Sequence, residues 1–176
     1  QNGLIRAVGD PDARFTEDAL RILRGVRFVS KTGFAIERQT GYAMRRQLAR
    51  LEAIAHERVL EELTGILTGQ YVGRALRSCA DIVAAVLPEI TPMFGLSQHN
   101  PHHRYDVWEH TVRAVEAIPA DPVLRWVMLL HDSGKPHAYT IDADGVGHCK
   151  GQPHISRDLA ERALTRLRAS NALREQ

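Results

Sequence analysis

The segment Glu17–Phe28, EDALRILRGVRF, constrains the fold of this chain more than any other stretch. When its side chains are placed at about 100° per residue, they separate into an apolar half and a charged half. The charged half contains Glu17, Asp18, Arg21, Arg24 and Arg27. The apolar half, which continues into the flanking residues, contains Phe15, Ala19, Ile22, Leu23, Val26 and Val29. This pattern predicts one amphipathic helix whose apolar half packs on a core.

The charged half of this helix has two interpretations. Asp18 and Arg21 are neighbours on a helix surface, and such ion pairs are common on solvated faces. The alternative is recognition of a nucleotide base, because a carboxylate only accepts hydrogen bonds and a guanidinium only donates them. Cytosine and adenine both present an exocyclic amine beside a ring nitrogen, whereas uracil and guanine would set a carbonyl against the carboxylate. Arg24 and Arg27 would then be available for phosphates.

Two segments, IRAVGDP (Ile5–Pro11) and RFTEDALRILRGVRF (Arg14–Phe28), resemble in this order the neck of the bacterial tRNA nucleotidyltransferases. This is the family of CCA-adding enzymes and poly(A) polymerases. The resemblance implies that a Glu-Asp-x-x-Arg motif selects CTP and ATP. It implies that the nucleotide-binding positions are Asp18, Arg21, Arg24 and Arg27. It also implies that the helices after the neck form a body that receives nucleotide and tRNA.

Apolar periodicity predicts further helices in the first half of the chain, over Thr40–Leu51, Glu52–Leu67 and Tyr71–Val86. Glycines are expected to end the helices that reach Gly33 and Gly69. The Thr40–Leu51 helix is expected to place Tyr42 in the core. Its arginines, which are either RNA contacts or a solvated face, are Arg45, Arg46 and Arg50. We expect a domain boundary between residues 70 and 90, drawn as 1–77 for the neck and body and 78–176 for the second domain.

Histidines cluster in the second half, where eight of the nine fall between His99 and His154. In the predicted helix Asp106–Ile118, His110 shares a face with apolar residues and is expected to point inward. A single inward histidine is usually a core residue. Here, however, an apolar helix over Val123–Leu130 leads directly into His131 and Asp132, a pair that is costly to bury unless it binds something. Imidazole with carboxylate suits Zn²⁺, Mn²⁺ or Fe.

The sequence HDSGKP (residues 131–136), preceded by the inward histidine, resembles the HD superfamily of metal-dependent phosphohydrolases. The segments Asn100–Thr111 (NPHHRYDVWEHT) and Gly145–Gly151 (GVGHCKG) resemble the version that follows the neck in many CCA-adding enzymes. The resemblance implies a site for a divalent transition metal, with Lys135 steadying a phosphate. The implied ligands are His110, His131 and Asp132, with His148 and His154 as additional candidates.

Two departures from the HD pattern weaken the expectation of phosphohydrolase activity. The family usually has a histidine where this chain has Gln152, and an amide is a poor ligand for a borderline metal. The downstream aspartate of the family also has no clear counterpart, because Asp158 is too close. A truncated HD domain, a degenerate metal site and a working phosphohydrolase therefore all remain open from the sequence.

No residue of this chain is expected to catalyse nucleotidyl transfer. That reaction requires paired carboxylates that hold Mg²⁺ ions near the α-phosphate. The family supplies them from a head domain with a Gly-Ser turn and an Asp-x-Asp strand. The two Asp-x-Asp sequences here, at Asp10 and Asp142, fall in predicted turns. Because the chain also begins without methionine, we expect it to be a piece of a longer enzyme that lacks the polymerising head.

Charge and composition are consistent with a soluble RNA-associated protein but indicate little more. Residues 1–77 carry 13 Lys/Arg against 9 Asp/Glu, and residues 78–176 carry 10 against 12. The first half is therefore mildly basic, which suits a polyanion such as tRNA. No run approaches the length of a membrane span, and no leader peptide opens the chain. With two separated cysteines, the cytoplasm is the expected compartment.

The sequence as a whole predicts an all-α protein: the helical neck and body of a class II tRNA nucleotidyltransferase, followed by a helical HD domain. The predicted function is CTP and ATP selection and tRNA binding in tRNA 3′-end processing. CCA addition, A-addition and poly(A) synthesis use the same motif and are not separated. Two alternatives remain, a free-standing HD phosphohydrolase and a non-catalytic RNA-binding module. The oligomeric state is not predicted.

Overall fold

A computed structural model describes residues 3–97, 105–142 and 147–174 of the chain. The histidine-rich part of the segment Asn100–Thr111, and Gly145 with Asp144, lie outside the described residues. The chain forms two compact units, Gln1–Pro88 and Glu89–Gln176. The sequence-based division after residue 77 differs because the following helix packs within the first unit. There Asp81 accepts hydrogen bonds from Arg45 at 2.7 and 3.0 Å.

The first unit is a group of helices packed around one central helix. Its helices are α1 (Pro11–Glu17), α2 (Leu20–Thr32), α3 (Arg38–Arg46), α4 (His56–Leu67), α5 (Val72–Ser78) and α6 (Ala80–Val86), with a 3₁₀ helix at Leu48–Ala53. Two short parallel strands, β1 (Leu4–Ile5) and β2 (Ala35–Ile36), flank α2 in sequence. Helix α2 packs against α4 and α5 through the apolar residues that the sequence placed on its buried face.

The predicted helix over Glu17–Phe28 is interrupted, so the prediction of one continuous helix was wrong. Helix α1 ends at Glu17, and Asp18 has an extended backbone (φ −149°, ψ 98°). Helix α2 then runs from Leu20 to Thr32 and ends at Gly33, whose positive φ of 70° closes the helix. The break exists because the Asp18 side chain accepts a hydrogen bond from the backbone N–H of Leu20, as aspartate does at helix starts.

Two other predicted helices are also divided. The Thr40–Leu51 segment turns into 3₁₀ geometry after Arg46, and Tyr42 is 46% exposed rather than buried, with the Arg38 guanidinium over its ring. The Tyr71–Val86 segment breaks at Cys79, where the backbone departs from helical geometry. Both breaks follow from tertiary packing, which overrides apolar periodicity.

A 3₁₀ helix (Pro88–Met93) begins at the last residue of the first unit and continues into the second. The second unit then contains α7 (Val107–Ala117), α8 (Pro122–Leu130), α9 (Lys135–Ala138), α10 (Gln152–Arg166) and α11 (Asn171–Arg174). Strands β3 (Tyr139–Ile141) and β4 (Gly147–Cys149) pair antiparallel. Helix α10 begins at Gln152 and ends at Arg166 because Arg168 adopts a left-handed conformation (φ 57°). Asp106 and Asp121 cap α7 and α8.

The all-α prediction is confirmed, since the regular secondary structure of the described residues is helical apart from two short two-stranded pairs. Within the described residues, no helix has the length and apolar character needed to cross a membrane.

Candidate functional site

Asp18 lies in the break between α1 and α2, which exposes its carboxylate at a helix start. Its Oδ1 accepts the Leu20 N–H at 3.1 Å, and its side chain is 27% exposed. Its Oδ2 lies 3.9 Å from Arg24 Nη1. The predicted pairing of Asp18 with Arg21 is therefore not formed in this structure, because the break changes the helical register between them.

Arg21 is loosely held and lines a cavity. Its Nη1 lies 4.0 Å from Glu17 Oε2, and both side chains are largely exposed. The adjacent cavity, of about 450 Å³, has an apolar floor that includes Phe15 and Met44. Its arginines are Arg6, Arg14, Arg21 and Arg24. An apolar floor with a cationic rim suits a ligand that has a flat ring and an anionic group.

Arg24 and Arg27 share a carboxylate that was not singled out from the sequence. Arg24 Nε lies 3.4 Å from Glu62 Oε1, and Arg27 Nη1 lies 3.3 Å from Glu62 Oε2. Glu62 lies on α4 and is 4% exposed. The signal was present in the sequence, since position 62 falls on the same helix face as Val59, Leu63 and Ile66. An acidic residue on an apolar face indicates a buried partner.

The three arginines of the predicted RNA or solvent face are bound within the first unit. Arg45 donates to Asp81, and Arg46 lies 2.5 Å from the Asp12 carboxylate. Arg50 donates to the side chain of Gln47. Asp12 therefore pairs with Arg46 and Asp10 caps α1, so both acidic residues of this Asp-x-Asp have structural roles.

The second unit brings together the three predicted metal ligands. Each of His110, His131 and Asp132 offers one ligand atom, and these atoms lie within 4.8 Å of one another. Asp132 Oδ2 is 3.2 Å from His131 Nε2 and 3.6 Å from His110 Nε2. His131 begins the turn after the buried helix α8, and His110 projects from α7, half-exposed rather than fully inward.

The polar surroundings of this cluster are compatible with a bound metal ion. His131 Nδ1 donates to the Met128 carbonyl at 2.7 Å, since a carbonyl can only accept, and this leaves Nε2 as the atom that faces the cluster. Asp132 Oδ2 is buried, and no donor reaches it in hydrogen-bond geometry. Lys135 Nζ is nevertheless 2.9 Å away and partly neutralises the carboxylate. Two imidazoles and an unsatisfied carboxylate oxygen fit a divalent transition metal.

The charges of the cluster are coupled. Burial opposes ionisation of Asp132, but its contacts with His131 and Lys135 outweigh this effect and lower its pKa to about 2. Burial likewise favours the neutral ring of His131, but the Asp132 carboxylate outweighs this and raises its pKa. The carboxylate of Asp132 and the cationic form of His131 therefore stabilise each other.

The additional candidate ligands are not brought to this cluster. His148 lies in β4, where its Nε2 is 2.7 Å from Asp142 Oδ2, and His154 is exposed in the first turn of α10. The side-chain amide of Gln152 donates to the His131 carbonyl at 2.6 Å and to the Ser156 hydroxyl. Gln152 thus holds the HDSGKP turn against α10. Asp158 is exposed beside Arg157.

Comparison with known proteins places the chain in a family. Residues 33–94 match a family model described as a probable RNA- and SrmB-binding site of polymerase A. An A-adding tRNA nucleotidyltransferase from Deinococcus radiodurans is 35% identical over 96% of this chain and 41% of that protein. A CC-adding tRNA nucleotidyltransferase from Thermus thermophilus is 34% identical over 86% of this chain and 38% of that protein. The chain belongs to the CCA tRNA nucleotidyltransferase family.

Solved structures agree with this membership. The crystal structure of the Bacillus stearothermophilus CCA-adding enzyme in complex with CTP matches this chain with a TM-score of 0.58 and 25% identity. The match covers 99% of this chain and 36% of that structure's chain. A tRNA-processing enzyme with CTP matches with a TM-score of 0.55 at 16% identity, which indicates a common fold. The chain spans about two fifths of the length of these relatives.

Proposed function

We propose that this chain is the base-selecting and RNA-binding part of a longer tRNA nucleotidyltransferase of tRNA 3′-end processing. Asp18 and Arg21 select CTP and ATP, and residues 33–94 contact tRNA. The observation that carries the proposal is the helix break at Asp18 beside a cavity lined by arginines. The relatives add CCA, CC or A, so each of these reactions is open to the parent enzyme. Nucleotidyl transfer and its Mg²⁺ are assigned to residues outside this chain.

Base choice follows from the hydrogen-bonding character of the two side chains. The carboxylate of Asp18 accepts a hydrogen bond from the exocyclic amine of cytosine or adenine, and Arg21 donates a hydrogen bond to the neighbouring ring nitrogen. A carbonyl in place of the amine leaves two acceptors facing each other, which costs about 1–3 kcal/mol. Because Arg21 is loosely held by Glu17, it is able to turn toward a base.

Isothermal titration of the chain with CTP, ATP and UTP tests this proposal. We expect the wild type to prefer CTP and ATP over UTP by about tenfold or more, since hydrogen bonds to charged groups contribute about 1.5–3 kcal/mol. Asp18→Ala should remove most of the preference. Arg21→Ala should reduce it more than it weakens overall triphosphate binding. The exposed Arg58 provides a matched control, and Arg58→Ala should leave the preference intact. Equal losses for CTP and UTP in Arg21→Ala would contradict the assignment.

We propose a second activity, metal-dependent phosphoester hydrolysis, for the cluster of His110, His131 and Asp132. The unsatisfied, buried Oδ2 of Asp132 favours it. A bound divalent ion would lower the pKa of a coordinated water and polarise a phosphoester. Gln152 orients the His131 backbone, and the Lys135 ammonium is close enough to the cluster to attract a phosphate.

Metal binding and hydrolysis are measured separately. Mn²⁺ or Zn²⁺ titration should give one site per chain, and turnover of bis(p-nitrophenyl) phosphate should depend on the added metal. Asp132→Asn should abolish both, whereas the exposed Asp158→Asn should change neither. Metal binding without turnover would indicate a degenerate HD site. If the wild-type chain shows neither this activity nor a nucleotide preference, the remaining interpretation is a non-catalytic RNA-binding module.

A further inference from the structure

Glu62 is a buried carboxylate at the packed face between α2 and α4. Its neighbours on α4 at helical spacing are the buried apolar residues Val59, Leu63 and Ile66. An acidic side chain in such a position is costly unless it is paired and hydrogen-bonded. A buried carboxylate at this position therefore indicates cationic partners that pair with it.

The partners of Glu62 are two arginines, each bound to a different oxygen. Oε1 faces Arg24 Nε at 3.4 Å, and Oε2 faces Arg27 Nη1 at 3.3 Å. The two arginines are three residues apart, so they lie on the same side of α2. One carboxylate thereby fixes the direction of both guanidinium groups.

Arg27 is held more tightly than Arg24. A Cβ atom at Gly65 would lie 2.3 Å from Arg27 Nε, so the guanidinium rests on backbone that no side chain covers. Arg27 Nε is buried, and no acceptor reaches it. Arg27 is therefore held at the interface between α2 and α4.

Arg24 connects Glu62 to Asp18. Its Nε faces the Glu62 carboxylate, while its Nη1 lies 3.9 Å from Asp18 Oδ2. Asp18 Oδ1 is already committed to the Leu20 N–H. The distance of 3.9 Å is too long for a hydrogen bond, so Oδ2 keeps its capacity to accept one from a ligand.

We propose that Glu62 is a positioning residue for base selection, because it retains Arg24 and so keeps Asp18 Oδ2 available to the base. The inference rests on the proposed role of Asp18. An amide in place of the carboxylate presents a donor to one of the two guanidinium groups, and it releases Arg24 toward the nearest remaining carboxylate, Asp18. A guanidinium seated on Oδ2 occupies the acceptor that the exocyclic amine of CTP requires.

The test is the ratio of the dissociation constants for UTP and CTP, measured by titration of the whole chain. Glu62→Gln should lower this ratio about tenfold, the effect of one charged hydrogen bond. The neighbouring Glu61 is exposed on the same helix, and Glu61→Gln should leave the ratio unchanged. Glu62→Asp keeps the charge on a shorter side chain and should give an intermediate ratio. If Glu62→Gln fails to fold, the ratio measured for Glu62→Asp tests the inference in its place.

A double-mutant cycle separates positioning from a general structural effect. If Glu62 acts through Arg24, Glu62→Gln should cause no further loss of the ratio in an Arg24→Ala background. Additive losses would overturn the inference, as would an unchanged ratio in both Glu62→Gln and Glu62→Asp. A wild-type chain without base preference would overturn the proposed function, and this inference with it. A wild-type preference that survives the Glu62 variants overturns the inference alone.

Discussion

Asp132 and His131 form a coupled pair whose contribution to folding depends on pH. The pKa of Asp132 is lowered from 3.8 to about 2, so its stabilisation is complete above pH 4 and is lost as the pH falls toward 2. The pKa of His131 is raised above 6.5, so its stabilisation is complete below that value and is lost as the pH rises through the folded pKa. We expect the pair to stabilise the metal-free second unit most between about pH 4 and 6.5.

Urea unfolding of wild type and Asp132→Asn in a chelator checks this expectation. Both tryptophans, Trp108 and Trp126, lie in the second unit, so tryptophan fluorescence follows that unit alone. The difference in unfolding free energy should be about 2 kcal/mol larger at pH 5.5 than at pH 2, because each pKa unit corresponds to about 1.4 kcal/mol. It should also shrink at pH 9. Asp158→Asn should show no such profile, and a pH-independent difference for Asp132→Asn would contradict the coupling.

Residues that belong to a recognisable motif were predictable from the sequence, whereas the distant residues that pair with motif residues were not. The HDSGKP motif located His131 and Asp132, because few structures need adjacent imidazole and carboxylate groups after an apolar helix. Glu62 was missed because its two partners lie 35 and 38 residues away, a distance that helical periodicity does not connect. The placement of His148 and Gln152 depends on side-chain hydrogen bonds that periodicity also does not describe.

Gly69, just after α4, lies against the backbone of α2 at Ser30. A Cβ atom there would lie 2.6 Å from the Ser30 carbonyl oxygen and 2.1 Å from its hydroxyl oxygen. The same carbonyl accepts the Tyr71 N–H at 2.7 Å. Because backbone atoms form part of the obstacle, Gly69→Ala should destabilise the first unit by about 1–3 kcal/mol. Thermal unfolding followed by circular dichroism at 222 nm measures the loss.

Gly41 provides the matched control for this substitution. It lies inside α3, and a Cβ atom there would meet its nearest neighbours at 3.5 and 3.6 Å, which is ordinary contact. Gly41→Ala should therefore be neutral or stabilise the unit by up to about 1 kcal/mol, since alanine favours the helix. If both variants shift unfolding equally, close approach at Gly69 is not what limits the substitution.

Element types were predictable here and element boundaries were not. The apolar residues from Phe15 to Val29 keep a helical period on both sides of Asp18. Periodicity alone therefore predicts one continuous helix and does not show the break. The local chemistry contained the correction, since aspartate favours a helix start over a helix interior. At Cys79 no such residue marks the boundary, and the division of α5 from α6 follows from packing within the unit.

The two units differ in charge, and we expect RNA affinity to lie mainly in the first unit. Residues 1–88 carry 13 Lys/Arg against 10 Asp/Glu, and residues 89–176 carry 10 against 11. The matched RNA-binding family model, residues 33–94, lies almost wholly in the first unit. Because Arg45, Arg46 and Arg50 are paired internally, few phosphate contacts are expected from them.

A polypeptide of residues 1–88 should therefore retain most of the affinity of the whole chain for a tRNA acceptor stem, and residues 89–176 should retain little. If the protein makes about three phosphate contacts, raising the salt from 50 to 200 mM should lower its affinity for RNA roughly 40-fold. This is a modest salt dependence for a nucleic-acid-binding protein. Fluorescence anisotropy at both salt concentrations measures affinity and slope together. Binding carried mainly by residues 89–176 would contradict the assignment. A much steeper slope for residues 1–88 would mean that RNA displaces the internal partners of Arg45 and Arg46, so that these arginines have both a structural and an RNA-binding role.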